Sequence, residues 1–306
     1  LQQVIVVTYA DRLAADRAEA MLLDDPGILL LERSMAMRFA TGGPNDPLLV
    51  HNTDSTKYQW AAERLQLIPA WDKVRGTAYA AVLDNGIQIH GLSGNPGIHP
   101  DLSANYRPQF SSNFGKFNGT PSNNGTPNSL TGYPNSASNL DEEPYTLDGY
   151  PNIAGHGSHT AGIIAAQAGN SIGVAGVCQS CSLMVGRISS GEDGHPEAGV
   201  DAAAAAVDAG IGWMTNAGAQ VINNSFSSID PEEMGCEMGN YPITCATFDA
   251  ALELDVAIVA SAGNRQLPVL EFPASYAGVI GVGGVQYDAN GAAFWEGSSG
   301  FGSNAG

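Results

Sequence analysis

The sequence predicts an α/β protein built on a doubly wound, mostly parallel sheet. Three observations carry this expectation. From residue 78 onward, segments of strand length alternate with segments of helical periodicity. The strand segments are continuously apolar rather than alternating, as strands covered on both faces are. Polar residues stand where such strands end, and sites in open parallel sheets lie at those carboxyl ends.

Each element follows in order. Residues 3–9, QVIVVTY, read as a strand, residues 11–25 as a helix capped by Asp11, and PGILLLERSMAMRF (26–39) as a returning strand. This βαβ piece ends at the Gly/Pro cluster ATGGPNDP, which reads as a linker. Residues 1–42 are therefore set apart from a larger domain, 43–306. There, AYAAVLD (78–84) is a strand, 156–167 a helix and CSLMVGRI (181–188) a strand. An Ala-rich helix covers 196–219, followed by the strand QVINNSF (220–226) and the helix ITCATFDAALEL (243–254). DVAIVASAGN (255–264) and GVIGVGGV (278–285) are the last strands. Residues 103–152, rich in Asn, Ser, Gly, Pro and Tyr, interrupt this order and read as a long, mobile surface insertion. Asn118 and Asn124 lie there in N-G-T sequons, which matter only in a glycosylating pathway and otherwise read as plain polar loop.

With 306 residues the chain can bury one large core or two modest ones. Its formal charge is −19, and Lys57, Lys73 and Lys116 are its lysines. Such a chain repels nucleic acid and anionic membranes, so neither is an expected partner. No apolar run approaches the roughly 20 residues of a membrane span. Residue 1 is Leu and no secretory leader pattern is visible, so the start is expected to be processed or cut. The four cysteines allow three pairings. The two local ones, Cys178–Cys181 and Cys236–Cys245, are preferred, in an oxidising compartment. Four free thiols, or a four-cysteine zinc site with unusual spacing, are the alternatives.

GHGSHTAGIIAA (155–166) places His156 and His159 three apart on one helical face, where two imidazoles could grip a metal. The nearby thiols are the one further ligand pair close in sequence, and no H-E-x-x-H pattern is present. A second reading uses three strand-end positions together. Asp84 closes VLD, His156 opens the helix, and Asn264 closes VASAGN. Singly these are ordinary turn and cap residues. Acyl transfer by a serine needs a neutral imidazole base, a carboxylate to orient it and a donor to the oxyanion. A helix N-terminus disfavours imidazolium, which suits His156 as base. Asp84 would set its tautomer, and the Asn264 amide would face the oxyanion.

VLDNGI, HPDL, GHGSHTAG, NSIGVAGV, VINNSF, SAGN and FPASYAGVIGVGGV occur in the order found in subtilisin-family serine proteases, the subtilases. On these motifs, spread over residues 60–306, the chain resembles that family. The resemblance implies a subtilisin-like fold and an endopeptidase acting on protein or peptide substrates. His156 becomes the general base, with activity rising as it loses its proton, and His159 a supporting residue rather than a ligand. Ser225, Phe226 and Ser227 fall on the family's substrate-binding strand. The resemblance also implies a structural Ca²⁺ held by Asp46, Asp101 and Asn170, with the carbonyls of Ala168, Ile172 and Val174. Oxygen-only ligands suit that ion. Residues 1–42 resemble the second half of a ferredoxin-like propeptide, which would be a partner of the enzyme, and secretion is expected.

Three departures stand out. Asp84-Asn85-Gly86 replaces the usual Asp-Ser-Gly or Asp-Thr-Gly, and Asn85 is expected to serve. SFSS (225–228) replaces Ser-Leu-Gly-Gly, and Ser227 and Ser228 are expected to narrow the primary specificity pocket. The nucleophile motif Gly-Thr-Ser-Met-Ala is not in the sequence. Ser299, in GSSG, lies too soon after GVIGVGGV and has no apolar helix behind it. The chain is therefore expected to stop before its nucleophile and to be inactive as it stands. The alternative is a non-catalytic, subtilase-like binding module.

Overall fold

The computed structural model describes residues 44–49, 59–88, 98–114, 116–117, 120–121, 155–188, 204–227, 241–288, 291–295 and 302–305. The chain divides into two compact units, Leu1–Thr41 and Gly42–Gly306, and all described residues belong to the second. The expected βαβ segment, both sequon asparagines, Ser228, Cys236 and Ser299 lie outside the described residues.

Two short helices, α1 (Trp60–Arg64) and α2 (Leu67–Trp71), precede β1 (Tyr79–Asp84). Next come β2 (Ser112–Asn113) and a small antiparallel pair, β3 (Lys116–Phe117) and β4 (Thr120–Pro121). Helix α3 (His156–Ala165) leads to β5 (Ser182–Arg187), and α4 (Ala204–Asn216) to β6 (Val221–Asn224). Helix α5 (Pro242–Glu253) leads to β7 (Ala257–Ser261), followed by β8 (Ile280–Val282), β9 (Val285–Asp288) and β10 (Gly291–Phe294). The main sheet has the order β2-β5-β1-β6-β7-β8, with every pairing parallel. From β1 the chain moves to β2 and β5 on one side, then crosses to β6 on the other. The strand order thus reverses at β1, and the crevice for a site opens at the carboxyl ends beside it.

The apolar run of β1 is buried on both faces because alternate side chains feed two cores. Ala81 and Leu83 pack with Met184, Ile211, Met214, Ile222 and Phe248 on the α4–α5 side. Ala80 and Val82 pack with Leu183, Val185, Ala161 and Ala165 on the α3 side. Burying each large aliphatic side chain of this set contributes roughly 1.5–3 kcal/mol. Helix α3 turns its small residues Gly157, Ala161 and Ala165, four apart, toward the sheet. A Cβ at Gly157 would run into the Gly86 carbonyl, so this helix start can lie directly on the turn after β1. A third cluster, Leu49, Ala62, Trp71 and Ala175, joins the segment before β1 to the loop after α3. Gln59 clamps that loop by bonding both the N–H and the carbonyl of Ala175, each at 2.8 Å.

Three expectations need correction. GVIGVGGV (278–285) is not one continuous strand. Residues 280–282 extend the parallel sheet, while 285–288 pair antiparallel with 291–294. Gly283-Gly284 breaks the run, and Gly284 N–H is taken by the Ser303 hydroxyl at 2.7 Å. Residues 103–114 are not surface insertion. Asn105 is buried, its amide bonding the carbonyls of Ala165 and Gln179, and β2 pairs with β5. Phe114 joins the α4–α5 core. Their polar composition hid a sheet edge. Finally, continuous burial does not extend across the sheet. Strands β6 and β7 alternate buried and half-buried positions, and β8 is exposed throughout.

Candidate active site

Parallel pairing puts the carboxyl ends of β1, β6 and β7 on one edge of the sheet. That edge gathers Asp84, Ser225–Ser227 and Asn264. Strands β1 and β7 are separated by one strand, about 10 Å at the usual strand spacing, and Asn264 lies three residues beyond the end of β7.

Asp84 ends β1 with its side chain only 4 % exposed. Its Oδ1 lies 2.7 Å from His156 Nδ1 and accepts the Asn85 N–H at 2.8 Å. Its Oδ2 is buried with no hydrogen-bond partner among the described residues. A carboxylate that is ionised only accepts, which makes Nδ1 the donor of this pair. The imidazole itself is 45 % exposed, as a base facing a cleft should be. The arrangement can hold His156 in one tautomer and take a proton from a hydroxyl placed at Nε2.

Local sequence explains why His156 starts the helix here. Gly155 occupies the N-cap position with φ 89° and has no side chain to satisfy the first N–H groups. Asn85 does so from the neighbouring turn: its Oδ1 accepts the Gly157 N–H at 3.0 Å. The Gln88 N–H donates to the Ser158 hydroxyl at 2.7 Å, a second tie between the β1 turn and α3. Asn85 therefore holds acid and base elements together. His159 is exposed, and no group of three or more His, Cys, Asp or Glu suited to a metal occurs among the described residues.

Asn264 is exposed after β7, and its carbonyl accepts the Gly302 N–H at 3.0 Å. Ser225 Oγ accepts from Asn223 Nδ2 at 2.8 Å. Phe226 packs, partly buried, against the α4–α5 core. Ser227 Oγ donates to Glu271 Oε2 at 2.5 Å. Glu271, Arg265 and Asn304, which join this network, were not singled out from sequence. One signal was present: a lone acidic residue inside the otherwise apolar LPVLEFPA.

The expected calcium ligands converge on the loop after α3. Asp46 and Asp101 are both buried. Asp46 accepts the N–H groups of Gly169 at 2.8 Å and Asn170 at 3.3 Å. Asp101 accepts Asn170 Nδ2 at 2.8 Å and the Val174 N–H at 3.0 Å. Asn170 Oδ1 is turned to the Ile172 N–H at 2.8 Å. The carbonyls of Ala168, Ile172 and Val174 accept no hydrogen bond from the described residues. Two buried carboxylates without a described cationic partner, beside three carbonyls without a described donor, are a donor set that fits a hard, oxygen-seeking cation. Nearby, Cys178 and Cys181 are joined in a disulfide. Cys245 is also disulfide-bonded, its partner lying outside the described residues.

The fold is thus a parallel α/β sheet that carries, at its switch point, a buried Asp84 paired with the exposed His156. The model of the subtilase family matches residues 77–304, and the chain belongs to that family. Thermitase of Thermoactinomyces vulgaris is 26 % identical over 252 residues, covering 82 % of this chain and 68 % of thermitase. Subtilisin BL of Lederbergia lenta is 34 % identical over 140 residues, 46 % of each chain. The crystal structure of fervidolysin from Fervidobacterium pennivorans aligns over 74 % of this chain and 27 % of its own, at 24 % identity and a TM-score of 0.46. The chain thus spans about half of subtilisin BL and about a quarter of fervidolysin.

Proposed function

We propose that the protein is a secreted serine endopeptidase in which His156, oriented by Asp84, is the general base and Asn264 donates to the oxyanion. The observation that carries this reading is the 2.7 Å contact from His156 Nδ1 to buried Asp84 at the carboxyl end of β1. Substrate lies along residues 225–227, between base and oxyanion donor. Ser227, turned to Glu271, fills space that a glycine would leave open, which supports a narrowed primary pocket. The attacking serine belongs to a Gly-Thr-Ser segment that these 306 residues do not contain. Asp46, Asp101 and Asn170, with the carbonyls of Ala168, Ile172 and Val174, hold a structural Ca²⁺, and residues 1–42 act as part of a folding-assisting propeptide. The bound disulfide cysteines support an oxidising, extracellular setting.

The test uses a fluorophosphonate probe and a peptide substrate on two chains: the 306 residues, and the same chain extended through a Gly-Thr-Ser segment. Hydrolysis and labelling of the extended chain alone are expected, with turnover lost on His156→Ala. Labelling of Ser299, or of any serine in the shorter chain, overturns the placement of the nucleophile. An extended chain that folds and does not hydrolyse peptides overturns the protease reading in favour of a binding module.

A further inference from the structure

The backbone around Asn264 is held by side chains to which the catalytic roles assign nothing. Glu271 is 2 % exposed, and its carboxylate takes three donors. Ser227 Oγ binds Oε2 at 2.5 Å, while Arg265 Nε at 2.6 Å and Asn304 Nδ2 at 3.2 Å bind Oε1. Burial pushes this carboxyl toward protonation, but the three donors and the Arg265 charge outweigh it and hold the group below its ordinary range. Glu271 is therefore a charged, fully bonded anchor.

From that anchor, bonds run to the residues on both sides of Asn264. The Glu271 N–H donates to the Ala262 carbonyl at 3.1 Å. Asn304 donates its own N–H to the Gly263 carbonyl at 2.9 Å. Its Oδ1 accepts the N–H groups of Arg265 at 3.0 Å and Leu267 at 2.9 Å. Gly263 has φ 106°, and a Cβ there would run into the Glu271 carboxylate and the Asn304 amide. The network therefore needs glycine before Asn264 and leaves the Asn264 side chain out of every bond. On the far side it reaches the substrate segment through Ser227, and Ser261 Oγ adds a bond to the Phe226 carbonyl at 3.2 Å.

We propose that Glu271 is a positioning residue for catalysis: with Arg265 and Asn304 it fixes the backbone of residues 262–267, and through Ser227 it sets the separation of the oxyanion donor from the substrate segment. This rests on the protease reading. An oxyanion donor works only within about 3 Å of the developing charge. A loop that drifts by about 1 Å can lose on the order of 100-fold in rate. Asn264 is exposed whereas Asp84 is buried, so polar anchors supply the precision of the backbone that carries it.

The experiment is a double-mutant cycle in the active, serine-bearing protein, together with amide hydrogen exchange. Glu271→Ala is expected to lower kcat roughly 10- to 100-fold, with a smaller change in KM. Exchange at Arg265 and Leu267 is expected to speed up while that of α3 stays unchanged. Glu271→Gln, which keeps an acceptor for Arg265, should restore part of the rate. In an Asn264→Ala background, Glu271→Ala should cost little further, because the group it positions is gone. Should Glu271→Ala fail to fold, Ser227→Ala and Glu271→Gln carry the same cycle. Additive losses in kcat, or unchanged exchange at Arg265 and Leu267, overturn the positioning role and leave the protease reading intact. Absence of hydrolysis in the unmutated protein overturns both.

Discussion

At the scale of single residues, the proposed activity turns on two polar groups with opposite surroundings. Asp84 is buried and spends one oxygen on His156 and Asn85, whereas Asn264 is exposed and its side chain makes no hydrogen bond among the described residues. In the serine-bearing protein, His156→Ala should lower kcat by at least about 100-fold, the low end for loss of a general base. Asn264→Ala should cost on the order of 100- to 1,000-fold, a size taken from subtilisin itself rather than derived from this chain. Progress curves on one peptide substrate check both, and retained rates would contradict the assignment. Glu271 makes a different prediction. Its folded carboxyl is held below the ordinary range. Its stabilisation is therefore fully present above the unfolded value of about 4.3 and is lost as pH falls through the lower folded value. Arg265 is the charged group that faces it among the described residues. Glu271→Gln should cost about 2 kcal/mol at pH 7. The gap to the unmutated chain should narrow steadily below about pH 4, as urea midpoints across pH would show.

At the scale of elements, the junction of β1 with α3 is the critical contact. A helix whose N-cap is glycine borrows a cap from Asn85, and the borrowed bond also fixes the distance from acid to base. Asn85→Ala should destabilise the fold by about 1 kcal/mol, the usual cost of a lost cap. Asn85→Ser, with a shorter acceptor, should recover part of it. Gly157→Ala is a harsher change, because its Cβ meets the Gly86 carbonyl and the helix start must move away from β1. It should lower both stability and kcat, with the loss of several-fold in rate following the shift of His156. Equal stability of Gly157→Ala and the unmutated chain in urea would contradict this packing.

At the scale of the whole molecule, the loop after α3 carries load between the sheet and the segment before β1. Gln59, Trp71 and Asp46 all bond to it, Trp71 through its Nε1 to the Val177 carbonyl at 2.9 Å. Two buried carboxylates there are compensated by N–H dipoles alone among the described residues. Calcium should therefore raise the melting temperature, by the equivalent of about 2.7 kcal/mol at 100 times its Kd. Chelation should reverse the shift, and Asp46→Asn or Asp101→Asn should abolish it. A melting temperature indifferent to calcium in the unmutated chain would remove the site.

The sequence by itself determined the α/β class, the alternation of β1, β5, β6 and β7 with helices α3 to α5, and the candidates Asp84, His156 and Asn264. It could do so because burial on both faces forces continuous apolar runs in the central strands β1 and β5, and because polar residues stand at the strand borders. Asn85 could be named as a departure, but not as the cap of α3, since that bond spans 72 residues. The β9–β10 hairpin could not be read off, because GVIGVGGV runs β8 and the first residue of β9 together and no local pattern records the change from parallel to antiparallel pairing. Residues 103–114 read as insertion because a short edge strand, with polar side chains such as Asn105 and Ser111 tying its approach to the core, looks like loop. The network of Ser227, Arg265, Glu271 and Asn304 was decided by tertiary structure alone. Its members come from three separate loops, and no local period records which buried donor will meet which carboxylate.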